Sequence, residues 1–250
     1  MLNQSADQMT AVLSKEGFSQ PVIVTEWGIN PYVRDLSRDT SFMAAWITEH
    51  LLHLSPNIAE ICYCLLTDDF SYTADASGYE FIGGQGLLTH SGIPKPSFSA
   101  FTLLGFLGNR LLADGKDYLF TKTDSSYQLL IYNYSYYSEH YLNGRQELLF
   151  DEDRYNIYRD TLTKVFQIQI NLTPGKYRLE TLQIDREHCA PYDEWIQMGK
   201  PGLLKDFYHQ YLMNKCYPGL QIETFMTSEH LQIQRIVPEH GVMMIQIELL

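Results

Sequence analysis

The sequence predicts two architectures in succession: an α/β segment over residues 1–111 and an antiparallel, all-β domain with one inserted helix over residues 112–250. Two observations separate them. Before residue 111, continuous, mostly apolar runs alternate with stretches of helical periodicity, and each run closes on an acidic residue. After residue 112 the period shortens to two, and turn residues recur between the runs. A third observation bounds both halves: 45% of the 250 residues are apolar, so a packed core is expected and disorder is not.

In chain order, residues 5–17 read as a helix ending near Gly17. Pro21-Val22-Ile23-Val24-Thr25 follows, apolar on both faces as a buried parallel strand should be, with Glu26-Trp27-Gly28 at its C-terminal end. A loop leads to a helix from about Asp39 to Leu54, with Asp39 as candidate N-cap and Pro56 as the stop. Met43, Trp46, Ile47, His50, Leu51 and Leu54 fall on one of its faces. Ile58 to Leu66 is a second buried run, closing on Thr67-Asp68-Asp69. After a Gly-rich loop over 71–93, a helix starts near Pro96 and ends by Gly108. The later strands read as Tyr118–Thr123, Tyr127–Tyr134, Lys164–Asn171, Lys176–Ile184, Gln221–Thr227, Leu231–Val237 and Val242–Leu249, an antiparallel β-sandwich pattern. The inserted helix is expected over about Leu203 to Lys215.

Composition excludes several functions. A formal net charge of -12, without a Lys/Arg cluster, argues against direct nucleic-acid binding. No apolar run is long enough to span a bilayer. Met1 to Thr10 lack the basic-then-apolar layout of a secretion signal, so a cytoplasmic location is expected, with Cys62, Cys64, Cys189 and Cys216 as buried free thiols. No spacing of Cys or His matches a common zinc pattern, and neither a metal nor another cofactor is expected. Phe81-Ile82-Gly83-Gly84-Gln85-Gly86 lacks the Lys-Ser/Thr of a phosphate cradle, so its glycines are read as close backbone approach. The 18 tyrosines suit a carbohydrate surface and ordinary sheet packing equally. His50 and His53 are read as packing residues, and Glu187-His188 as a docking loop.

The feature that carries chemistry is Glu26. In a β/α barrel, functional groups stand at the C-terminal ends of strands, and Glu26, Asp68 and Asp69 all occupy such ends. A carboxylate held there on rigid backbone has the placement a glycosidase nucleophile needs, although a strand-end Glu also serves as a structural ion-pair partner. Only two such strands are present, whereas a closed barrel on this plan has eight. The others are expected from a longer parent polypeptide or from a partner chain.

Several ordered stretches resemble glycoside hydrolase family 39, the β-xylosidase family. They are Pro21 through Trp27, Arg38-Asp39-Thr40, Tyr63 through Asp68 with Phe70, Phe81 through Leu87, and Gly92-Ile93-Pro94-Lys95-Pro96. The last is Ile184 through His188, with Pro191, Trp195, Met198, Gly199 and Pro201. The resemblance implies the C-terminal part of a (β/α)8 barrel, its seventh and eighth strands, followed by the β-sandwich. It places Glu26 at the nucleophile position and implies sugar contacts from Trp27, Asn30, Tyr32, Tyr63, Asp68 and Phe81. The family's acid/base Glu, which follows an Asn on the fourth strand, has no counterpart, because the chain contains no Asn-Glu dipeptide. A general acid is worth about 10²–10⁴-fold in rate, and Asp69 is a poor substitute.

Other positions depart from the family pattern. Gly28 stands for an Asn, Cys64 for a stacking Trp, Ser71 and Tyr72 for a Glu pair, and Ile82 for a His. Family 39-like modules also occur at the C-terminus of AraC-type transcription regulators. The resemblance therefore implies a module for a small, xylose-type sugar or oligosaccharide, sensing it with weak or no hydrolysis. The alternative is the C-terminal half of an active retaining β-xylosidase. The missing barrel half, or a second copy of the chain, is the expected partner.

Overall fold

The computed structural model describes residues 2–68, 79–143, 154–159 and 162–250. Asp69, Ser71 and Tyr72 lie outside the described residues. Helix α1 (Leu2–Lys15) stops where Gly17 takes a φ of +82°, a left-handed conformation suited to glycine. Strands β1 (Val22–Trp27) and β2 (Ile58–Tyr63) pair in parallel, with Val22 opposite Ile58 and Trp27 opposite Tyr63. Helix α2 (Ser41–Leu52) connects them, and α3 (Pro96–Leu104) packs on α2.

The rest of the chain is mixed, with antiparallel sheets dominating. Strands β3 (Arg110–Gly115), β4 (Tyr118–Lys122), β5 (Ser126–Tyr132), β7 (Gly175–Ile184), β8 (Gly219–Thr227) and β10 (Val242–Leu249) form one sheet in the order β3-β4-β5-β10-β7-β8. Strands β6 (Lys164–Asn171) and β9 (His230–Val237) form a separate antiparallel pair. Short helices α4 (Glu139–Leu142) and α5 (Pro191–Gln197), and the longer α6 (Asp206–Asn214), lie between strands.

The two-residue period of the central strands joins the halves. Leu129, Ile131, Met243, Ile245 and Ile247 point to a core shared with Ile170 of β6 and Leu231 of β9. Leu130, Tyr132, Val242 and Met244 point the other way, into a core with Phe42, Trp46, Leu103 and Trp195. β10 is therefore buried on both faces over Val242–Ile245, which explains its unbroken apolar run.

Four expectations need correction. β1 and β2 are covered on one face only: Ile23 is 52% exposed, and its register partner Glu60 and Cys62, two residues further on, are exposed on the same face. Cys62 is accordingly not a buried thiol and Cys64 is half-buried, whereas Cys189 and Cys216 are buried. α2 carries no single apolar stripe, because Ser41 through Thr48 are all buried between neighbouring elements. Asp39 is not an N-cap. Thr40 precedes the helix without a side-chain cap bond, and the Asp39 carboxylate turns into the interior. β3 and α5 were not expected. The first is short and ends in Gly115, and the second opens at Pro191 inside a stretch read as loop.

Asp39 belongs to a dry ionic cluster. The Lys95 ammonium lies 2.8 Å from Asp39 Oδ1 and 2.7 Å from Asp68 Oδ2, and donates to the Gly84 carbonyl at 3.2 Å, which occupies its three protons. Arg154 Nη1 reaches Asp39 Oδ2 at 2.7 Å, and its Nη2 donates to Phe81 O at 2.9 Å. All four ionic side chains are fully buried or nearly so. Burial pushes the Asp39 carboxyl up, but Lys95 and Arg154 outweigh that and hold it below its ordinary value. Asp68 shares only Lys95, and burial together with repulsion from Asp39 keeps it raised. Backbone N–H groups complete the cluster: Gly83 donates to Asp39 at 2.7 Å and Gly86 to Asp68 at 2.8 Å. A Cβ on Gly86 would meet the Asp68 nitrogen at 2.3 Å, so the close approach read from the sequence is required there.

Lys95→Met should cost about 3–5 kcal/mol, the usual penalty for leaving a buried charge unpaired. The measurement is the urea midpoint, and Asp68→Asn added to Lys95→Met should recover part of the loss. A cost for Lys95→Met below about 1 kcal/mol, the range of exposed pairs, would contradict the cluster's role. Burial also lowers His50, stacked 4.4 Å from Trp46, and His240, set edge-on to Phe42, below the ordinary 6.5. Their folded-state values are depressed, so the unfolded chain binds more protons below pH 6.5 and stability falls as pH drops through that value. Melting temperature followed from pH 7.5 to 5.5 should therefore decline. The slope should be shallower in His240→Asn, a residue that tolerates the φ of +53° at this position.

Candidate functional site

At the C-terminal ends of β1 and β2 a cavity of about 360 Å³ opens. Glu26, Trp27, Gly28, Asn30, Arg38, Tyr63, Cys64 and Gln85 are among its walls. The parallel register sets Trp27 beside Tyr63, and Cys64 N donates to Trp27 O at 2.8 Å, so the ladder continues to the cavity edge. Glu26 is exposed, the next residue Trp27 only 6% exposed. A register irregularity between Val24 and Trp27 breaks the strand's alternation, so Trp27 enters the core although Thr25 and Ile23, two and four residues back, are exposed.

Trp27 stacks on Trp46 at 4.7 Å and meets the Tyr63 ring edge-on at 5.9 Å. Burial pushes the Tyr63 phenol up, so the hydroxyl stays neutral and can both donate and accept. Asn30 is held on both sides: its Nδ2 donates to Asp35 at 2.6 Å, and its Oδ1 accepts from Arg38 Nη2 at 2.8 Å. Asp35 in turn accepts from Ser37 N and Oγ and from the Tyr137 hydroxyl. These bonds fix the loop that follows β1. Tyr32 stands 56% exposed at the rim, and what ties it to the cavity wall is its carbonyl, which accepts from Arg38 and Gln85. Gly28 leaves open space, since a Cβ there would meet nothing within 4 Å.

The structure thus brings Glu26, Trp27, Asn30 and Tyr63 together. Asp68 and Phe81 are set apart from the cavity. Asp68 is spent on Lys95, and Phe81 is 1% exposed and packs against Trp195 at 5.5 Å. Sequence reasoning overlooked Arg38 and Gln85 as wall residues. Arg38 lies inside the Arg38-Asp39-Thr40 stretch, but nothing in that stretch indicates that its guanidinium turns back beneath the loop.

A larger cavity of about 670 Å³ lies between α5 and the strand ends, lined in part by Tyr155, Asp185, Arg186 and Asp193. Its carboxylates are engaged structurally. Asp193 accepts from the Tyr155 hydroxyl at 2.6 Å, and Asp185 accepts from the backbone of Glu187 and His188 at 2.8 Å each. Size alone therefore does not make it the better candidate. Among the described residues no group of three or more His, Cys, Asp or Glu is placed to hold a metal ion. No helix among them is long and apolar enough to cross a membrane.

Comparison with known proteins bears on the family and the fold. A β-xylosidase of Caldicellulosiruptor saccharolyticus is 26% identical over 193 residues, covering 76% of this chain and 36% of that protein. An uncharacterized HTH-type transcriptional regulator of Staphylococcus aureus (strain N315) is 19% identical over 250 residues, covering 99% of this chain and 32% of that protein. The chain thus spans about a third of the length of these curated relatives. Among solved structures, a GH39 enzyme from Xanthomonas axonopodis pv. citri superposes with a TM-score of 0.77 at 18% identity, over 98% of this chain and 48% of that one. A monomeric β-xylosidase from Caulobacter crescentus CB15 gives a TM-score of 0.75 at 19% identity, over 99% and 49%. These superpositions establish a shared fold. The family model for glycosyl hydrolases family 39 matches residues 1–221, all of residues 1–111 and the strands through β7, and the chain belongs to that family.

Proposed function

We propose that this chain is the sugar-recognising, C-terminal part of a transcription regulator, with weak or no hydrolase activity, acting in the cytoplasm. In this reading residues 1–111 are the last two strands and flanking helices of a (β/α)8 barrel. Residues 112–250 are a β-sandwich. The exposed face of β1 and β2, with Ile23 and Cys62 uncovered, is where the remaining barrel or a second copy packs. Glu26, Trp27, Asn30 and Tyr63 contact a small, xylose-type sugar, with Tyr32 at the rim. Asp68 and Phe81 act from behind, by fixing the loop that bears Gln85.

The observation that carries the reading is the carboxyl count. Glu26 is the one carboxylate among the described residues of the cavity wall. A retaining glycosidase needs two, roughly 5 Å apart, so that one protonates the leaving oxygen while the other attacks. Gly28 and Cys64, where the family has an Asn and a Trp, remove an amide and a stacking face. A pocket that keeps the fold but loses such groups is better suited to reading a sugar than to cutting it. The extent of the alignments favours the regulator further: the regulator relative is matched over 99% of this chain, the β-xylosidase over 76%.

The second reading is the C-terminal half of an active retaining β-xylosidase, in which the acid/base comes from the part of the fold this chain lacks. Identity to the β-xylosidase, 26%, favours it. Assays on the full-length polypeptide with an aryl β-xyloside separate the two. The sensor reading expects no turnover above background, together with thermal stabilisation by pentoses or disaccharides worth about 2.7 kcal/mol at 100 times Kd. Turnover that disappears in Glu26→Ala would establish the hydrolase instead.

A further inference from the structure

We infer that the larger cavity, between α5 and the strand ends, takes a small organic cation, an alkylammonium or alkylguanidinium, which seats on the face of Tyr155 against Asp193 where the Arg186 guanidinium now lies. The inference is independent of the sugar-pocket reading. The cavity holds about 670 Å³, within the ordinary range of small-molecule sites. Asp185, Glu187, Asp193 and Glu239 stand in its wall, and Arg186 is the one cation among the described wall residues. A negative wall beside an aromatic ring is the combination that recognises organic cations.

A cation already occupies this position, and it belongs to the chain. The Arg186 guanidinium carbon lies 3.8 Å from the centre of the Tyr155 ring. Its Nε stands 3.6 Å from Asp193 Oδ1, longer than a hydrogen bond. The Arg186 side chain is 54% exposed, that of Asp193 only 14%. Arg186 therefore covers the carboxylate without bonding closely to it. Asp193 Oδ2 is taken, since it accepts from the Tyr155 hydroxyl at 2.6 Å, and what Oδ1 has is the long contact to Arg186. Burial raises the Asp193 carboxyl above its ordinary value, and Tyr155 and Arg186 do not offset it. The neighbouring guanidinium of Arg154 is 4.0 Å from the Tyr192 ring centre, but it is paired with Asp39 at 2.7 Å.

An exposed arginine held by one cation–π contact and one long ion pair is displaced at little cost. A ligand ammonium or guanidinium entering from the cavity keeps the Tyr155 face and can approach Asp193 Oδ1 at hydrogen-bond distance, which Arg186 does not. Asp185 is engaged by the backbone of Glu187 and His188, so it adds negative field rather than a direct bond. The exposed Glu187 adds to the same field. Ile196 and Ile236 give the wall an apolar side, which suits the alkyl part of such a ligand. The wall thus reads an amphipathic cation: charge at Asp193 and Tyr155, hydrocarbon beyond them.

The test is calorimetric titration of the full-length polypeptide at low ionic strength. The probes are agmatine, putrescine and 1,4-butanediol, the neutral counterpart of putrescine. At least one of the two cations should bind with a stoichiometry of one per chain and about tenfold or more tightly than the diol, the margin of one charge-assisted hydrogen bond, and the advantage should shrink with added salt. Which cation binds better distinguishes a guanidinium site from an ammonium site. Arg186→Ala removes the resident competitor and should tighten the cation about threefold or more, the scale of one exposed cation–π contact. Asp193→Asn should weaken it about tenfold or more. Because Asp193 also holds Tyr155, Arg186→Ala at an exposed position decides the matter if Asp193→Asn does not fold. Equal binding of the diol and the cations, an Arg186→Ala variant with unchanged or weaker cation binding, or undiminished binding in a folded Asp193→Asn would overturn the inference. None of these outcomes touches the sugar pocket at Glu26.

Discussion

The structure turns on the ion cluster of Asp39, Asp68, Lys95 and Arg154. Two carboxylates and two cations meet in a dry interior, so their formal charges cancel. The members come from the end of the loop after β1, the segment after β2, the residue before α3, and a short stretch ahead of β6. Each loop alone would carry unpaired polar backbone into the core. Together they supply one another's partners: Gly83 and Gly86 donate to the carboxylates, while the carbonyls of Gly84, Leu36 and Phe81 accept from the cations. Such a cluster adds little net stability against an apolar core of the same shape. What it contributes is position. The backbone of Leu36–Asp39 is held against the 81–86 loop, and Arg38 and Gln85 from these segments join residues 28–31 and the strand ends in the cavity wall.

The cluster also shows why glycines recur between residues 83 and 86. At Gly83, φ is +71° and a Cβ would meet the Asp35 carbonyl oxygen at 2.5 Å. A side chain there would force the two loops apart and take the Gly83 N–H from Asp39. The local sequence is thus dictated by a long-range electrostatic contact rather than by a phosphate-binding turn.

Much of the fold was legible because periodicity is local. The strands from β4 onward are recovered from their two-residue alternation to within a residue or two at most ends, and β1 from its apolar run, whereas β2 stops at Tyr63, three residues before its run ends, with Leu65 and Leu66 exposed. The exposed face of β1 and β2 was not, because an apolar run reports what a strand is suited to, not what this chain brings to cover it. For the site, Glu26, Trp27, Asn30 and Tyr63 were readable from their positions at or after strand ends. Asp68 and Phe81 occupy equally suggestive positions but face inward, since orientation there depends on Lys95 and Arg154, which are 27 and 73 residues away respectively. Arg38 was unreadable for the same reason: its acceptors are mostly backbone carbonyls, and a sequence does not show which carbonyls converge.

The open strand face and the open cavity have one geometric origin. Ile23 and Thr25 of β1, and Glu60 and Cys62 of β2, are exposed along one face of the strand pair, whose C-terminal end carries Glu26. A carboxylate at such an edge is solvated, and water screens the charge that would make it an effective nucleophile or a strong partner for a sugar. Whatever covers Ile23 and Cys62 must also come close to Glu26, remove that water and complete the cavity wall. Under the proposed reading, burial of this strand face and formation of the ligand site are therefore a single event. A segment that docked on β1 and β2 without a carboxylate near Glu26 would produce a closed sugar pocket without a general acid, and one that brought such a carboxylate would restore hydrolysis. Arg38 and Asn30 are fixed in place by their own hydrogen bonds and do not depend on that covering segment.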